Sequence, residues 1–318
     1  MDKVVLFVST SSRFDEPLLT PVKKRLKQVP GIEVKSLIIP ANDVIGAYKF
    51  ADVFARGNRI DLAFTPFDRI EMLGAAIALF QHNIKLCQMG AGDLSLEGAW
   101  DDEVRHCITL MATLIFCNGQ KSYDRAKHLK GLTQPLNELG MSSEPHIAGA
   151  WPDRSFGKYW SVFEVGSTAL DDIAPDYREV GTQNSFDLVL YSPPTKQTDR
   201  IITELREIEA MLNKRVAWIG PTSDPGWTTI VDYITDLQKR NPNVHFYVST
   251  DRPKFLALVD RCDRFLGNSS SLFVEAPFFK PREKLIHIGV RNKGREFIVV
   301  RTGGSDRIAE HVRKFLEV

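Results

Sequence analysis

An alternation of short apolar runs with longer stretches of helical period restricts the fold of this chain more than any other feature. Val4–Val8 is an unbroken apolar run, and Leu18, Leu19, Val22 and Leu26 then line one face of a helix opened by Pro17. Val34–Ile39, Leu62–Thr65, Ile84–Met89, Leu114–Cys117 and Val162–Val165 read as further strands, with helices over 70–80 and 101–112. Strands without polar alternation are buried on both faces. The pattern therefore predicts an α/β architecture, a parallel sheet covered by helices on both sides.

Residues 171–185 are polar, contain Pro175 and Gly181, and lack periodicity, so they read as a linker. The alternation then restarts, with strands at Asp187–Tyr191, Val216–Ile219, Val244–Val248, Arg264–Leu266 and Leu285–Ile288. Helices are expected over 199–212, 228–239, 271–279 and 305–316. Two Rossmann-like parallel-sheet domains follow, 1–170 and 186–318. Such sheets bind ligands outside the carboxyl ends of their strands, which makes an interdomain cleft the default site.

Composition removes several classes of function. Lys plus Arg is 41 and Asp plus Glu is 40, so a net charge of +1 gives no global pull toward nucleic acid or an anionic membrane. No apolar run approaches the ~20 residues of a spanning helix. The chain enters its first strand at once, behind acidic Asp2, and shows no signal-peptide pattern. Cys87, Cys107, Cys117 and Cys262 are far apart without Cys-x-x-Cys spacing, which is the usage of a reduced cytoplasmic protein without structural zinc. His82, His128 and His146 have no neighbours at metal-ligand spacing, so no metal is expected.

The sharpest local motif is Gly267-Asn268-Ser269-Ser270-Ser271, between a strand and a helix. Small residues permit close backbone approach, hydroxyls add donors, and a helix start offers unpaired N–H groups, a combination suited to a diphosphate. The same serines would also serve as a plain N-cap. Glu275 follows on the same helix, where a carboxylate can accept from ribose hydroxyls or complement the helix dipole.

The run from Gly267 through Ala276 and Pro277 resembles the nucleotide-binding signature of the UDP-N-acetylglucosamine 2-epimerases, whose fold is the two-domain GT-B arrangement of glycosyltransferases. Gly289–Arg295 resembles the glycine-arginine loop of that family, and Asp101–Thr109 a helix start of its hydrolysing branch. Phe67-Asp68-Arg69 stands where the family has Gly-Asp-Arg, Arg13 and Asp15 resemble its first-loop Arg-x-Asp, and Val165–Asp171 matches its Val-Gly-Ser-Pro-x-x-Asp. The resemblance implies that Ser269, Ser270 and Ser271 hold the diphosphate, with Asn268 beside them at the nucleotide, and that Glu275 binds the ribose. It places Arg13, Asp15, Arg291 and Arg295 at the nucleotide, and Asp68, Asp101 and Arg105 at the sugar. It sets Ser192, Asp224 and Gly226 at the second-domain side of the cleft. It also implies a UDP-sugar as ligand, no further cofactor, and a homo-oligomer assembled through the first domain.

Departures from the family pattern bear on the reaction. In place of His-x-Glu-Gly-Gly the chain has Gln88-Met89-Gly90-Ala91-Gly92, and in place of Tyr-His-Pro it has Tyr191-Ser192-Pro193. Epimerisation at the sugar's second carbon needs a positioned base and acid. Asp68, Asp93, Glu97 and His106 remain for that work. Transfer of the sugar needs only a phosphate cradle and one base for the acceptor. The expectation is accordingly a glycosyltransferase, whose acceptor could be a glycan or a hydroxylated nucleobase in DNA, the one role left for nucleic acid. A hydrolysing 2-epimerase and a non-catalytic UDP-sugar sensor are the alternatives.

Overall fold

The computed structural model describes residues 1–10, 15–96, 98–131, 160–180, 186–221, 223–298 and 302–318. The chain forms two compact units, the first made of residues 1–93, 101–171 and 301–318. Its strands are β1 (Lys3–Thr10), β2 (Ile32–Ile39), β3 (Leu62–Phe64), β4 (Lys85–Met89), β5 (Leu114–Cys117) and β6 (Ser161–Glu164), all parallel, in the order β2-β1-β3-β4-β5-β6. Phe7 of β1 lies opposite Phe64 of β3, with ring centroids 4.2 Å apart. The central strands are buried along their length, which is why they read as continuous apolar runs.

The same unit carries α1 (Asp15–Leu26), α2 (Val44–Gly57), α3 (Ile70–Gln81), α4 (Asp101–Met111) and α5 (Gln120–Gly131). Nothing in the periodicity announces α2. Its larger apolar residues, Ile45, Phe50 and Val53, are exposed, and what it buries is Ala47 and Ala51. It meets α3 at Gly74, where a Cβ would stand 2.3 Å from the Val44 carbonyl oxygen. Two backbones in near contact need small residues, not an apolar stripe.

The second unit comprises 94–100 and 172–300. Its strands β7 (Phe186–Leu190), β8 (Arg215–Ile219), β9 (Val244–Tyr247), β10 (Arg264–Gly267) and β11 (Leu285–His287) are parallel, in the order β11-β10-β7-β8-β9. Helices α6 (Ile201–Ala210), α7 (Trp227–Arg240), α8 (Arg252–Arg261), α9 (Ser271–Val274) and α10 (Ala276–Phe279) cover the sheet. Strand order reverses between β7 and β10, the switch point at which such sheets open a crevice.

The helix expected over 271–279 is two short turns that meet at Glu275. Pro277 has no N–H to give the Phe273 carbonyl, and the Ile298 amide donates to that oxygen instead, at 3.0 Å. Within the polar stretch read as a linker, residues 172–180 make defined contacts. The Asp176 amide donates to the Pro253 carbonyl at 3.0 Å, and the Tyr177 hydroxyl donates to Asp260 at 2.7 Å.

The last helix, α11 (Gly304–Leu316), was expected with the second domain but packs in the first unit. Ile308, Ala309, Val312 and Leu316 join Leu19, Val22 and Leu26 in one core. Asp171 fixes its start by accepting from the Gly303 and Ser305 amides at 2.7 and 2.8 Å. An amphipathic pattern states that a helix covers a sheet, not which sheet.

Candidate active site

In the first unit the chemistry gathers where β3 and β4 end. Arg105 of α4 is a large cation only 1% exposed. Its Nη2 pairs with Asp68, while its Nη1 donates to Asp102 at 2.6 Å and to the Asp93 carbonyl at 2.7 Å. Burial by itself would lower the guanidinium's pKa; Asp68, Asp93, Asp101 and Asp102 outweigh it and hold the charge on. The Asp68 side chain is 27% exposed, so this carboxylate is held from behind by a buried cation while one edge stays open.

The loop after β4 is fixed by geometry that only glycine allows. Gly92 has φ +71°, and a Cβ there would lie 2.0 Å from the Ser122 carbonyl oxygen. Arg125 donates to the Gly92 carbonyl, and Asn118 Nδ2 donates to Asp93 at 3.0 Å. Asp93 is thus presented from a rigid turn. Gln88 is fully buried; its amide donates to the Arg105 carbonyl at 2.9 Å and its oxygen accepts from Thr109 at 2.6 Å. Both ends of the side chain are used in seating α4.

His106 follows Arg105, and its buried Nε2 has no hydrogen-bond partner among the described residues. Burial and then the neighbouring Arg105 cation push its pKa below the ordinary value, so the imidazole is neutral at pH 7. Asp15, expected at the nucleotide, stands at the start of α1. It is 4% exposed, and its Oδ2 accepts from the Thr10 amide at 3.0 Å and the Thr10 hydroxyl at 2.6 Å. It ties α1 to β1, and burial raises its pKa despite those bonds. Arg13 and Glu97 lie outside the described residues.

In the second unit the predicted residues converge on the ends of β7 and β10. Gly267 (φ +142°) has no room for a Cβ, which would stand 2.0 Å from the Leu190 carbonyl oxygen. Asn268 is fully buried. Its Oδ1 accepts from the Ser192 amide at 2.7 Å and its Nδ2 donates to the Ser192 carbonyl at 2.9 Å. Expected at the nucleotide, it clamps the two strand ends together. Ser269 caps the turn, accepting from the Ser271 amide at 3.2 Å, and Ser271 is buried while Ser270 is exposed. The single helix expected behind these serines is broken at Glu275 into two short turns.

Arg291 Nη1 donates to the Pro193 carbonyl at 2.7 Å and to Asp224 at 3.2 Å, bringing three predicted segments together. Gly226 (φ +95°) starts α7 beside them. Arg295 donates to Asn292 at 3.2 Å, and Asn292 donates to the Asn268 carbonyl at 2.6 Å. Glu275 pairs with Arg252 at 2.6 Å, a partner that no motif announces because it starts a different helix. Sequence reasoning also missed Glu204. This buried carboxylate accepts from the Tyr191 hydroxyl at 2.7 Å and the Val290 amide at 3.1 Å, and thereby sets the loop that carries Arg291.

Residues 94–100 leave the chain between Asp93 and Asp101 and build part of this second unit. Gly98 (φ +92°) lies so close to the Arg291 backbone that a Cβ would stand 2.9 Å from its nitrogen, and the Gly98 carbonyl accepts from Lys196 at 3.1 Å.

Residues 44–318 match the model of the family described as UDP-N-acetylglucosamine 2-epimerase. The chain belongs to that family. This epimerase-family chain is 28% identical, over 260 residues, to a Legionella pneumophila protein described as UDP-N,N'-diacetylbacillosamine 2-epimerase (hydrolyzing). That match covers 78% of this chain and 60% of the relative's length. Among solved structures it is similar to S. aureus MnaA in a co-structure with UDP, with TM-score 0.73, 13% identity, and coverage of 100% of this chain and 97% of that one. It is similar also to Methanocaldococcus jannaschii UDP-GlcNAc 2-epimerase in complex with UDP-GlcNAc and UDP, with TM-score 0.65, 12% identity, and coverage of 99% and 100%. At such identities the structural likeness establishes the two-sheet fold.

Among the described residues there is no group of three or more His, Cys, Asp or Glu placed to hold a metal ion. No described helix is long and apolar enough to cross a membrane. All four cysteines are free, with Cys107 exposed.

Proposed function

We propose that this chain is a hydrolysing UDP-sugar 2-epimerase, acting on a UDP-2-acetamido sugar and releasing UDP and the epimerised sugar. The observation that carries this reading is the buried Arg105 hub holding Asp68, beside Asp93, on strand ends of a family-matched first unit. The expectation of glycosyl transfer gives way to this alternative, because the family model and the relatives named above point to 2-epimerases.

The chemistry divides into two demands. At the second carbon a proton is removed and another returned to the opposite face; at the first carbon the bond to UDP breaks and water supplies the hydroxyl. Asp93, which accepts from Asn118, and Asp68, which pairs with Arg105, are the carboxylates that would take the proton steps. In the second unit Ser270, Arg291 and Arg295 would offset the charge that grows on the departing diphosphate. Glu275, held by Arg252, would accept from ribose hydroxyls.

The test is incubation of the full chain with UDP-N-acetylglucosamine in D2O. The expected outcome is UDP release without an acceptor, with one deuterium at the second carbon of an N-acetylmannosamine product. UDP release that requires an added acceptor, with no deuterium in the sugar, would replace this reading by glycosyl transfer.

A further inference from the structure

The turn that carries Asp93 and the turn that carries Asn118 are built against each other. Asp93 ends the loop after β4, and Asn118 follows directly on β5, the neighbouring strand. The Ala91 amide extends the sheet by donating to the Phe116 carbonyl at 3.2 Å. Ser122, 6% exposed, then serves both turns. Its hydroxyl donates to the Gly119 carbonyl at 2.8 Å and accepts from the Gly119 amide at 3.1 Å, which closes the turn behind Asn118. Its carbonyl faces Gly92, so near that only glycine fits. Backbone contacts, not the two side chains, thus set the spacing of residues 93 and 118.

Across that spacing Asn118 Nδ2 donates to Asp93 Oδ2 at 3.0 Å. The backbone of Asp93 is fixed as well, its carbonyl accepting from Arg105 at 2.7 Å. What the backbone leaves open is the direction of the carboxylate, because the side chain still turns about two torsions. The Asn118 amide selects among those directions. It is a neutral donor, so it orients the carboxylate without adding a cation that opposes protonation. The same amide stands beside position 90, where the family pattern has glutamate and this chain has glycine; a Cβ there would lie 4.0 Å from Nδ2. Asp93, three residues on, brings a carboxylate to that amide.

We infer that Asn118 is a positioning residue for the proton step at the second carbon, acting through Asp93. In that step the C–H bond breaks, the proton passes to the Asp93 carboxylate, and the electron pair moves into the bond to the first carbon as UDP departs. A reacting group displaced by about 1 Å loses ~100-fold in rate, so the donor that fixes its direction carries a large share of the step. The inference rests on the epimerase reading above and adds to it a residue outside every motif of the sequence.

The test follows UDP release and deuterium incorporation by the full chain from UDP-N-acetylglucosamine in D2O, beside UDP calorimetry and thermal unfolding. Asn118→Ala is expected to lower kcat about 10–100-fold, with KM and UDP affinity within about twofold of wild type. Asp93→Asn should lower kcat ~100-fold or more. The decisive protein is the exchange, Asn118→Asp together with Asp93→Asn, which keeps an amide-to-carboxylate hydrogen bond in the same place with its polarity reversed. It should unfold at the wild-type temperature and stay as slow as Asp93→Asn. Recovery of kcat along with stability in the exchange would make the bond structural and overturn the inference. So would a folded Asn118→Ala with kcat within about twofold of wild type, or one whose whole loss lies in KM. Wild type that releases no UDP and incorporates no deuterium would overturn the epimerase reading itself, and this one with it.

Discussion

Asn268 and Ser192 hold one another through two hydrogen bonds, at 2.7 and 2.9 Å, across the strands between which the order of the second sheet reverses. Asn268→Ala leaves a buried amide and a buried carbonyl without partners. Each orphan costs ~1–3 kcal/mol, so a loss of about 2–4 kcal/mol is expected in urea unfolding with the denaturant slope unchanged. UDP affinity should fall with it, because Arg291 bonds to Pro193, next to Ser192. A loss well under 1 kcal/mol would show that the clamp is replaceable by water.

Arg105 serves stability and reactivity together. Arg105→Met strands Asp68 and Asp102 beside one another, and a loss of about 2–3 kcal/mol is expected, below the ~3–5 of a fully buried pair because Asp68 keeps contact with water. Asp68→Asn should separate the two roles, changing stability by about 1 kcal/mol or less while reducing kcat ~100-fold with UDP affinity intact. Stopped turnover in D2O beside calorimetry on the same variant reads both.

Stability should also decline in acid through His311. Its ring stacks on Phe163 with centroids 3.8 Å apart, and burial pushes its pKa down to about 4. The unfolded imidazole takes up its proton near pH 6.5 and the folded one only near 4, so this contribution is complete above about 6.5 and is lost as pH falls toward 4. Discounted for partial exposure, it amounts to about 1–2 kcal/mol. His311→Leu should flatten that part of the stability–pH curve, measured by thermal unfolding at fixed ionic strength; an unchanged slope would assign the acid loss elsewhere.

Gly289 and Glu204 constrain one another. At φ +80° a Cβ on Gly289 would stand 2.0 Å from Glu204 Oε2. Gly289→Ala is expected to displace the loop and weaken UDP binding about tenfold or more. Glu204→Gln, whose amide keeps one acceptor for Tyr191 or Val290, should have a smaller effect. Equal UDP affinities in all three proteins would separate this loop from nucleotide binding.

What the sequence revealed follows from the range over which each signal acts. The parallel strands were legible because burial on both faces leaves an unbroken apolar run, as in Val4–Val8. Asp68 and Arg105 were legible in motifs and Asp93 as a carboxylate left where the pattern departs, and the structure brings them together through distances no periodicity encodes. The α2–α3 contact was hidden because alanine and glycine carry no amphipathic signal. Arg252 and Glu204 were hidden because each meets its partner across 23 and 86 residues of sequence, respectively, without a local pattern. The clamp made by Asn268 was hidden because an asparagine that bonds across two strands and one that faces a nucleotide have the same letter in the same motif.

The placement of α11 bears on how the protein is made. Leu316 and Val312 complete a core whose other half, Leu19 and Val22, is translated far earlier in the chain. While the ribosome is still building the second sheet, the earlier-made half has an apolar groove with nothing in it. Only when residue 316 clears the exit tunnel can that groove be filled. Nascent chains arrested before residue 304 should therefore hold a sheet that is sensitive to protease and attractive to chaperones, however long the synthesis is paused.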